Sequence, residues 1–314
     1  AEARTWLESS AALARRAGDD PHQRYHYLKG LARIDESAAR YADARAHLEE
    51  ALALAEAEYG PTSYDVAITH EVMGELLRLS GDLPAALAHT ERALAGTRAT
   101  FGDDHPQLAA VYQKQGLLLS DLGDDAAAEA ATRRALELFE RAYGPRSPTL
   151  AYTLNDLGVA LCERGRLSDG VATLERALDL RVAALGREHM LVTTVLYNLS
   201  TCLINQGRAA EARALLEETL AVRERLVGAD HPKVAFPHLG LGDLELEAGA
   251  LDRAEHHFRR ALAIREASLG PEHSRVAVPL VGLAEVALRR GRRDDARALA
   301  ERALRLRAAA TTND

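Results

Sequence analysis

The sequence predicts an all-α protein, a right-handed α-solenoid of seven 42-residue helix-turn-helix repeats preceded by half a repeat. Two glycine series and the placement of proline predict it. One series runs Gly18, Gly60, Gly102, Gly144, Gly186, Gly228 and Gly270, and the other Gly81, Gly123, Gly165, Gly207, Gly249 and Gly291, each step being 42 residues. Glycine marks places where the backbone turns, and a phase held along the whole chain marks a repeat array. The second series should begin at Ala39.

Between the glycines the apolar residues recur at helical spacing, as in Leu154, Leu157 and Leu161 and again in Leu167, Val171, Leu174 and Leu178. Each unit is therefore two helices, A and B. An Ala-Leu pair near the end of helix B repeats from Ala51-Leu52 to Ala303-Leu304, with Thr219-Leu220 as the variant. A proline inside a helix costs about 3 kcal/mol. Pro21, Pro61, Pro106, Pro145, Pro148, Pro232 and Pro271 fall in turns or helix entries, and Pro84, Pro237 and Pro279 in first turns. Helix pairs this short bury their apolar faces only by stacking on their neighbours.

The expected organisation is a lone helix B at 1–17 (containing Trp6-Leu7), the solenoid at 18–310 and a frayed tail at 311–314. Residue 1 is alanine and no helix A precedes the first helix, so the chain is expected to be a piece of something longer. The last helix, from Asp294 to Ala308, carries Arg297, Arg302, Arg305 and Arg307 and reads as a polar terminal cap.

The chain has 314 residues and a net charge of −8, which argues against general nucleic-acid binding. No apolar run reaches the roughly 20 residues of a membrane span, and no signal segment opens the chain. Cytoplasm is the default. Cys162 and Cys202 form no CxxC pair, so the expectation is two reduced, buried thiols rather than a disulfide staple or a zinc site.

Four of the twelve histidines, His105, His189, His231 and His273, share one inter-repeat position. Copies one repeat apart lie roughly 10 Å apart, too far to share a metal bonded at about 2.1 Å, so they read as helix-entry residues. His256-His257 point in different directions along a helix, and His70-Glu71 lacks the second histidine of HExxH. The pairs Asp103-Asp104, Asp124-Asp125 and Asp294-Asp295 fit helix capping. There is no GxSxG, no nucleotide loop, and no HRD or DFG triplet. No metal, cofactor or catalytic residue is assigned.

Leu-Gly-x-x-Leu in helix A, Ala-Leu in helix B and small residues at helix approaches together resemble the tetratricopeptide repeat. The 42-residue length, with Leu185-Gly186-Arg187-Glu188-His189, Gly228-Ala229-Asp230-His231-Pro232, Leu154-Asn155-Asp156-Leu157-Gly158 and Leu196-Tyr197-Asn198-Leu199-Ser200, resembles the kinesin-light-chain type. Arg16-Ala17-Gly18-Asp19-Asp20-Pro21 before such repeats, in a chain where only Lys29, Lys114 and Lys233 are lysines, resembles the region behind the catalytic domain of myxobacterial serine/threonine kinases.

The resemblance implies a concave groove walled by helix A. Carried onto this chain it assigns Tyr152, Asn155, Asp156, Val159, Cys162 and Glu163 to the groove, then Thr194, Tyr197, Asn198, Thr201, Asn205, Phe236 and Asp243. An asparagine amide both donates and accepts, so Asn155 and Asn198 are expected to grip a peptide backbone while Tyr152, Tyr197 and Phe236 pack its side chains. A second stretch, Lys29, Arg33, Glu71, Glu75, Arg78, Gln113 and Lys114, has mixed charge suited to selectivity or to intramolecular pairing. The implied function is a non-catalytic scaffold that holds a protein or peptide segment, the recruiting or sensing part of a larger signalling protein such as a kinase. The alternatives are a self-association or autoinhibitory module, and a sensor attached to a protease or NTPase.

Overall fold

The structure is a computed structural model that describes residues 20–311. The half repeat expected at 1–17 lies outside the described residues, and of the tail expected at 311–314 only Thr311 lies within them. The described chain is α-helical: α1 (Pro21–Ser37), α2 (Tyr41–Tyr59), α3 (Tyr64–Leu79), α4 (Leu83–Phe101), α5 (Pro106–Asp121), α6 (Asp125–Tyr143), α7 (Leu150–Glu163), α8 (Leu167–Leu185), α9 (Met190–Asn205), α10 (Ala209–Val227), α11 (Ala235–Glu247), α12 (Leu251–Leu269), α13 (Ala277–Arg289) and α14 (Arg293–Thr311). Odd numbers are helix A of successive repeats and even numbers helix B. The chain divides into two compact units, 1–153 and 154–314.

Among the described residues every helix B is 19 residues long, and in all but the last, which ends at Thr311, both ends are fixed by backbone that leaves right-handed space. The glycines after helix A and after helix B take φ between +73° and +89°, where an L side chain is strained. Ala39, standing where the other repeats have glycine, takes φ +55°.

In the first unit Ala32, Ala44, Leu48, Met73, Leu76, Leu77 and Ala86 form one core cluster, and Tyr25, Leu28, Ala51, Ala55 and Val66 another. In the second unit the fully buried Phe258 of α12 lies against Gly242 of α11 and Gly282 of α13. A β-carbon at either glycine would sit at or within 3.0 Å of the ring. Small residues thus let adjoining helices close on the one large side chain between them.

Repeats six and seven open differently from the rest. Each begins with a 3-10 turn, Pro232–Val234 and Ser274–Val276, before the α-helix proper. Pro237 and Pro279 sit at the third α-helical position and have no N–H to give the carbonyl four residues back. Those carbonyls belong to Lys233 and Arg275, and both find other donors.

Candidate functional site

The four shared histidines are helix N-caps. Nδ1 of His105, His189, His231 and His273 accepts from the main-chain N–H two residues on, at 3.2, 3.1, 3.2 and 3.1 Å. Ser63 takes the role in repeat two, accepting from Val66. Asp82 and Asp124 cap α4 and α6, while Asp104 accepts from Arg134 and Arg141. These side chains are occupied in building turns.

Of the mixed-charge stretch in the first unit, most is paired internally. Lys114 Nζ donates to Glu71 at 2.6 Å. Arg78 grips Glu75 with two donors and reaches Asp121 at 2.7 Å. Lys29 bonds the Tyr25 hydroxyl and lies 4.7 Å from that ring's centre, and Gln113 donates to Thr153. Arg33 is exposed. Tyr152 also falls in this unit, 51% exposed.

The second unit brings several expected groove residues together. Asn198 Nδ2 on α9 donates to Asn155 Oδ1 on α7 at 2.9 Å, and Asn155 Nδ2 in turn faces Asp156 Oδ1 at 3.3 Å. The two asparagines therefore first hold adjacent helices to each other. Asn155 thus has one donor and one acceptor engaged within the protein, whereas the Asn198 carbonyl oxygen keeps its acceptor capacity whole. Asp156 Oδ2 is buried with no hydrogen-bond partner. Burial pushes that carboxyl up to about 6, against the pull of Asn155 and Arg181.

Tyr197 and Phe236 meet edge to face, ring centres 5.8 Å apart, the geometry favoured by aromatic quadrupoles. Behind each ring lies a buried arginine of helix B: Arg223 Cζ is 5.8 Å from the Tyr197 centre and Arg265 Cζ 5.7 Å from that of Phe236. Arg223 bonds Thr193 Oγ1 (3.0 Å), Thr193 O (3.1 Å) and Lys233 O (2.7 Å). Arg265 Nη1 bonds Arg275 O. Burial pushes the Arg223 guanidinium down to about 10, so it remains a cation at neutral pH. Thr201 and Asn205 are exposed, and Thr201 donates to the Tyr197 carbonyl at 3.1 Å. Asp243 is exposed, yet its surroundings, and then the charge of Glu247, raise its carboxyl to about 6.

Three features were missed in the sequence. Cys162 and Cys202 are joined in a disulfide, Cα atoms 5.6 Å apart, which corrects the expectation of free thiols. Their separation of 40 residues falls just short of one repeat, so it sets them on neighbouring A helices. Gly170, which has no β-carbon to collide with Cys162 Sγ, leaves the room. Second, His70 and His89 face each other Nδ1 to Nδ1 at 2.9 Å, and His238 and His257 do the same four repeats on. Their shared 19-residue spacing was the available signal. Third, Arg181, Arg223, Arg265 and Arg307 recur at 42-residue spacing. Among the described residues no group of three or more histidine, cysteine or carboxylate side chains could hold a metal.

Comparison with known proteins places this architecture. The tetratricopeptide repeat model matches at 24–99, 65–141, 149–220, 191–267 and 238–309. The chain belongs to the tetratricopeptide repeat family. It is similar in fold to kinesin light chain nearly identical TPR-like repeats of Podosopora anserina, at 17% identity over 64% of this chain and 95% of that one, TM-score 0.56. It is also similar to apo RapI, at 12% identity over 92% and 99%, TM-score 0.69. Aspartyl phosphate phosphatase F of Bacillus subtilis matches at 12% identity over 96% and 74%, TM-score 0.69. No curated protein sequence matches the chain. The fold class is thus an all-α tetratricopeptide solenoid of the kinesin-light-chain kind, an architecture of protein interaction scaffolds, and among the described residues no helix is long and apolar enough to cross a membrane.

Proposed function

We propose that the chain is a non-catalytic interaction module that holds a segment of another protein against the helix-A face of its second unit, as the recruiting part of a larger signalling protein such as a serine/threonine kinase. The observation that carries the reading is the Tyr197–Phe236 pair. Two aromatic rings on successive A helices, half-buried and backed by fixed arginines, form a rigid apolar platform beside the free acceptor of Asn198. Rigid aromatic surface binds at low entropic cost, and a neighbouring amide fixes the register of an extended backbone.

The test is retention of interacting proteins by the purified chain and by Asn198→Ala, Tyr197→Ala, Phe236→Ala and Asn155→Ala variants, singly and combined. The expected result is a loss of at least about tenfold for Tyr197→Ala or Phe236→Ala, as for buried aromatic anchors. A smaller loss is expected for Asn155→Ala, whose amide is already bonded within the protein. Partner retention by the fourfold variant would remove the groove assignment, and turnover of a substrate by the chain alone would remove the non-catalytic reading.

A further inference from the structure

Two histidine pairs tie helix A to helix B within a repeat, and the groove reading uses neither. Nδ1 of His70 on α3 faces Nδ1 of His89 on α4 at 2.9 Å, and His238 on α11 faces His257 on α12 in the same way at the same distance. The ring centres stand 4.9 and 5.2 Å apart, as for five-membered rings aimed nitrogen to nitrogen. His70 and His238 are buried, and each partner ring on helix B is half-buried. Two other repeats hold leucine at both register positions, Leu196 with Leu215 and Leu280 with Leu299, and both are histidine only in repeats two and six. Leucine serves packing better than a buried polar ring, so a joint change to imidazole points to what imidazole nitrogens bind.

The donor set narrows the ligand. Among the described residues no third histidine, cysteine or carboxylate completes a metal site at either pair, and Cys162 and Cys202 are bonded to each other. Zinc takes four ligands, so two imidazoles do not satisfy it. The nearest charges also disfavour a dication. Arg92 acts on both rings of the first pair, and Arg260 and Arg213 on those of the second. Glu49 is already bonded to Arg45, and Glu245 to Arg213 and Arg253. A soft monovalent ion that takes two nitrogens in line meets neither objection. At roughly 2 Å per metal–nitrogen bond it needs them about 4 Å apart, about 1 Å beyond the hydrogen-bonded spacing, an opening that the half-buried helix-B ring supplies by turning outward.

We propose that each pair is a site for a two-coordinate monovalent copper ion, held between Nδ1 of the helix-A histidine and Nδ1 of its helix-B partner. The ion takes the place of the proton shared between the rings. That proton moves to Nε2 of the ring that carried it, so both imidazoles stay neutral and no proton is released. In the complex both Nε2 atoms therefore carry hydrogen. His238 Nε2 is buried with no hydrogen-bond partner, and a buried donor left unpaired is costly, so the His70–His89 pair is the tighter site. Bound copper would pin the two helices of repeats two and six to each other, whatever the groove holds.

The test is an anaerobic titration of the full chain, its disulfide intact, with Cu(I) against a coloured Cu(I) chelator. His70→Leu with His89→Leu, which copies the leucine pairs of repeats five and seven, should remove one bound ion. His238→Leu with His257→Leu should remove another, held about tenfold more weakly. X-ray absorption at the copper edge should show two nitrogen neighbours at about 2 Å and no sulfur. Cys162→Ala with Cys202→Ala should bind as much copper as the parent chain, and a roughly tenfold excess of zinc ion should leave the copper in place. Circular dichroism reports whether the leucine variants keep their helices, and His89→Gln, at the less buried ring, reads the first site should its double variant lose them. The proposal is overturned if neither replacement lowers the copper bound, if the cysteine variant lowers it, or if zinc displaces it. Loss at one pair alone overturns the other site.

Discussion

Arg223 donates to the main-chain carbonyl of Lys233 at 2.7 Å, the carbonyl that Pro237 leaves without its helical N–H. The same arrangement recurs one repeat later, where Arg265 bonds the carbonyl of Arg275 four residues before Pro279. A buried guanidinium thus substitutes for a missing backbone donor. It also locks the entry of helix A in repeats six and seven to helix B of the repeat before, and lends its face to an aromatic ring of the groove wall.

Replacing Arg223 with Met should therefore cost about 2–3 kcal/mol, since it strands a buried carbonyl and the Thr193 pair. Pro237→Ala restores a donor to Lys233 O, so in that background the arginine should matter less, by about 1 kcal/mol. Urea unfolding of the two single variants and the double variant measures the coupling. Strict additivity would show that Arg223 does not compensate for the proline.

How much of this was legible follows from what period and spacing encode. The 42-residue glycine phase and the absence of mid-helix proline are local backbone constraints, so the repeat count and the placement of His105, His189, His231 and His273 at helix entries could be read directly. The Arg223–Lys233 bond could not, because nothing local ties an arginine to a proline in the following helix. Nor could the Asn198–Asn155 bond: the family pattern set both residues on one face, while their 2.9 Å contact depends on how far adjacent helices are offset. Cys162 and Cys202 misled for a related reason. Spacing was judged against CxxC motifs, whereas in a repeat array a separation of about one repeat is the spacing that brings side chains together.

The disulfide closes a loop of 40 residues, for which the chain-entropy account gives roughly 3–4 kcal/mol of stabilisation. Reduction, or Cys162→Ala with Cys202→Ala, should lower the melting temperature of the chain, and reductant should leave the double variant unaffected. Disulfides persist in oxidising compartments. Alkylation of the protein as taken from its own cells therefore tests the cytoplasmic expectation, which blocked thiols would contradict.

Ala39 offers a contrast within one fold. Its φ of +55° costs roughly 1–2 kcal/mol for a residue with a β-carbon, partly offset by the smaller unfolded-state entropy of alanine. Ala39→Gly is expected to raise stability by about 0.5–1 kcal/mol. Gly123 has φ +78° with open space where a β-carbon would go, so Gly123→Ala should lose about 1 kcal/mol through backbone strain alone. Chemical denaturation of both variants reads the two signs, and a shared sign would refute the conformational account.

The paired histidines and the partly desolvated aspartates pull stability in opposite directions with pH. Burial holds His70 and His238 down at about 4 and lowers His89 and His257 as well. Between about 6.5 and 4 the unfolded chain takes up protons that the folded pairs refuse, so acidification through this window destabilises the protein. Two protonated rings could no longer share a hydrogen bond between their Nδ1 atoms. Asp156 and Asp243 behave conversely. Their folded values near 6 lie above the unfolded value of about 3.8, so acidification favours the folded state, and the stability they add is lost as pH rises through 6. With four histidines against two aspartates, one of them exposed, the net effect should be a shallow loss of stability from pH 7 to pH 5. Asp156→Asn should make that loss steeper, and His70→Leu with His238→Leu should flatten or reverse it. Denaturant midpoints at pH 7, 6 and 5 for the three proteins measure the slopes. Identical slopes would show that neither the histidine pairs nor the Asp156 carboxyl titrates between folded and unfolded states as its burial requires.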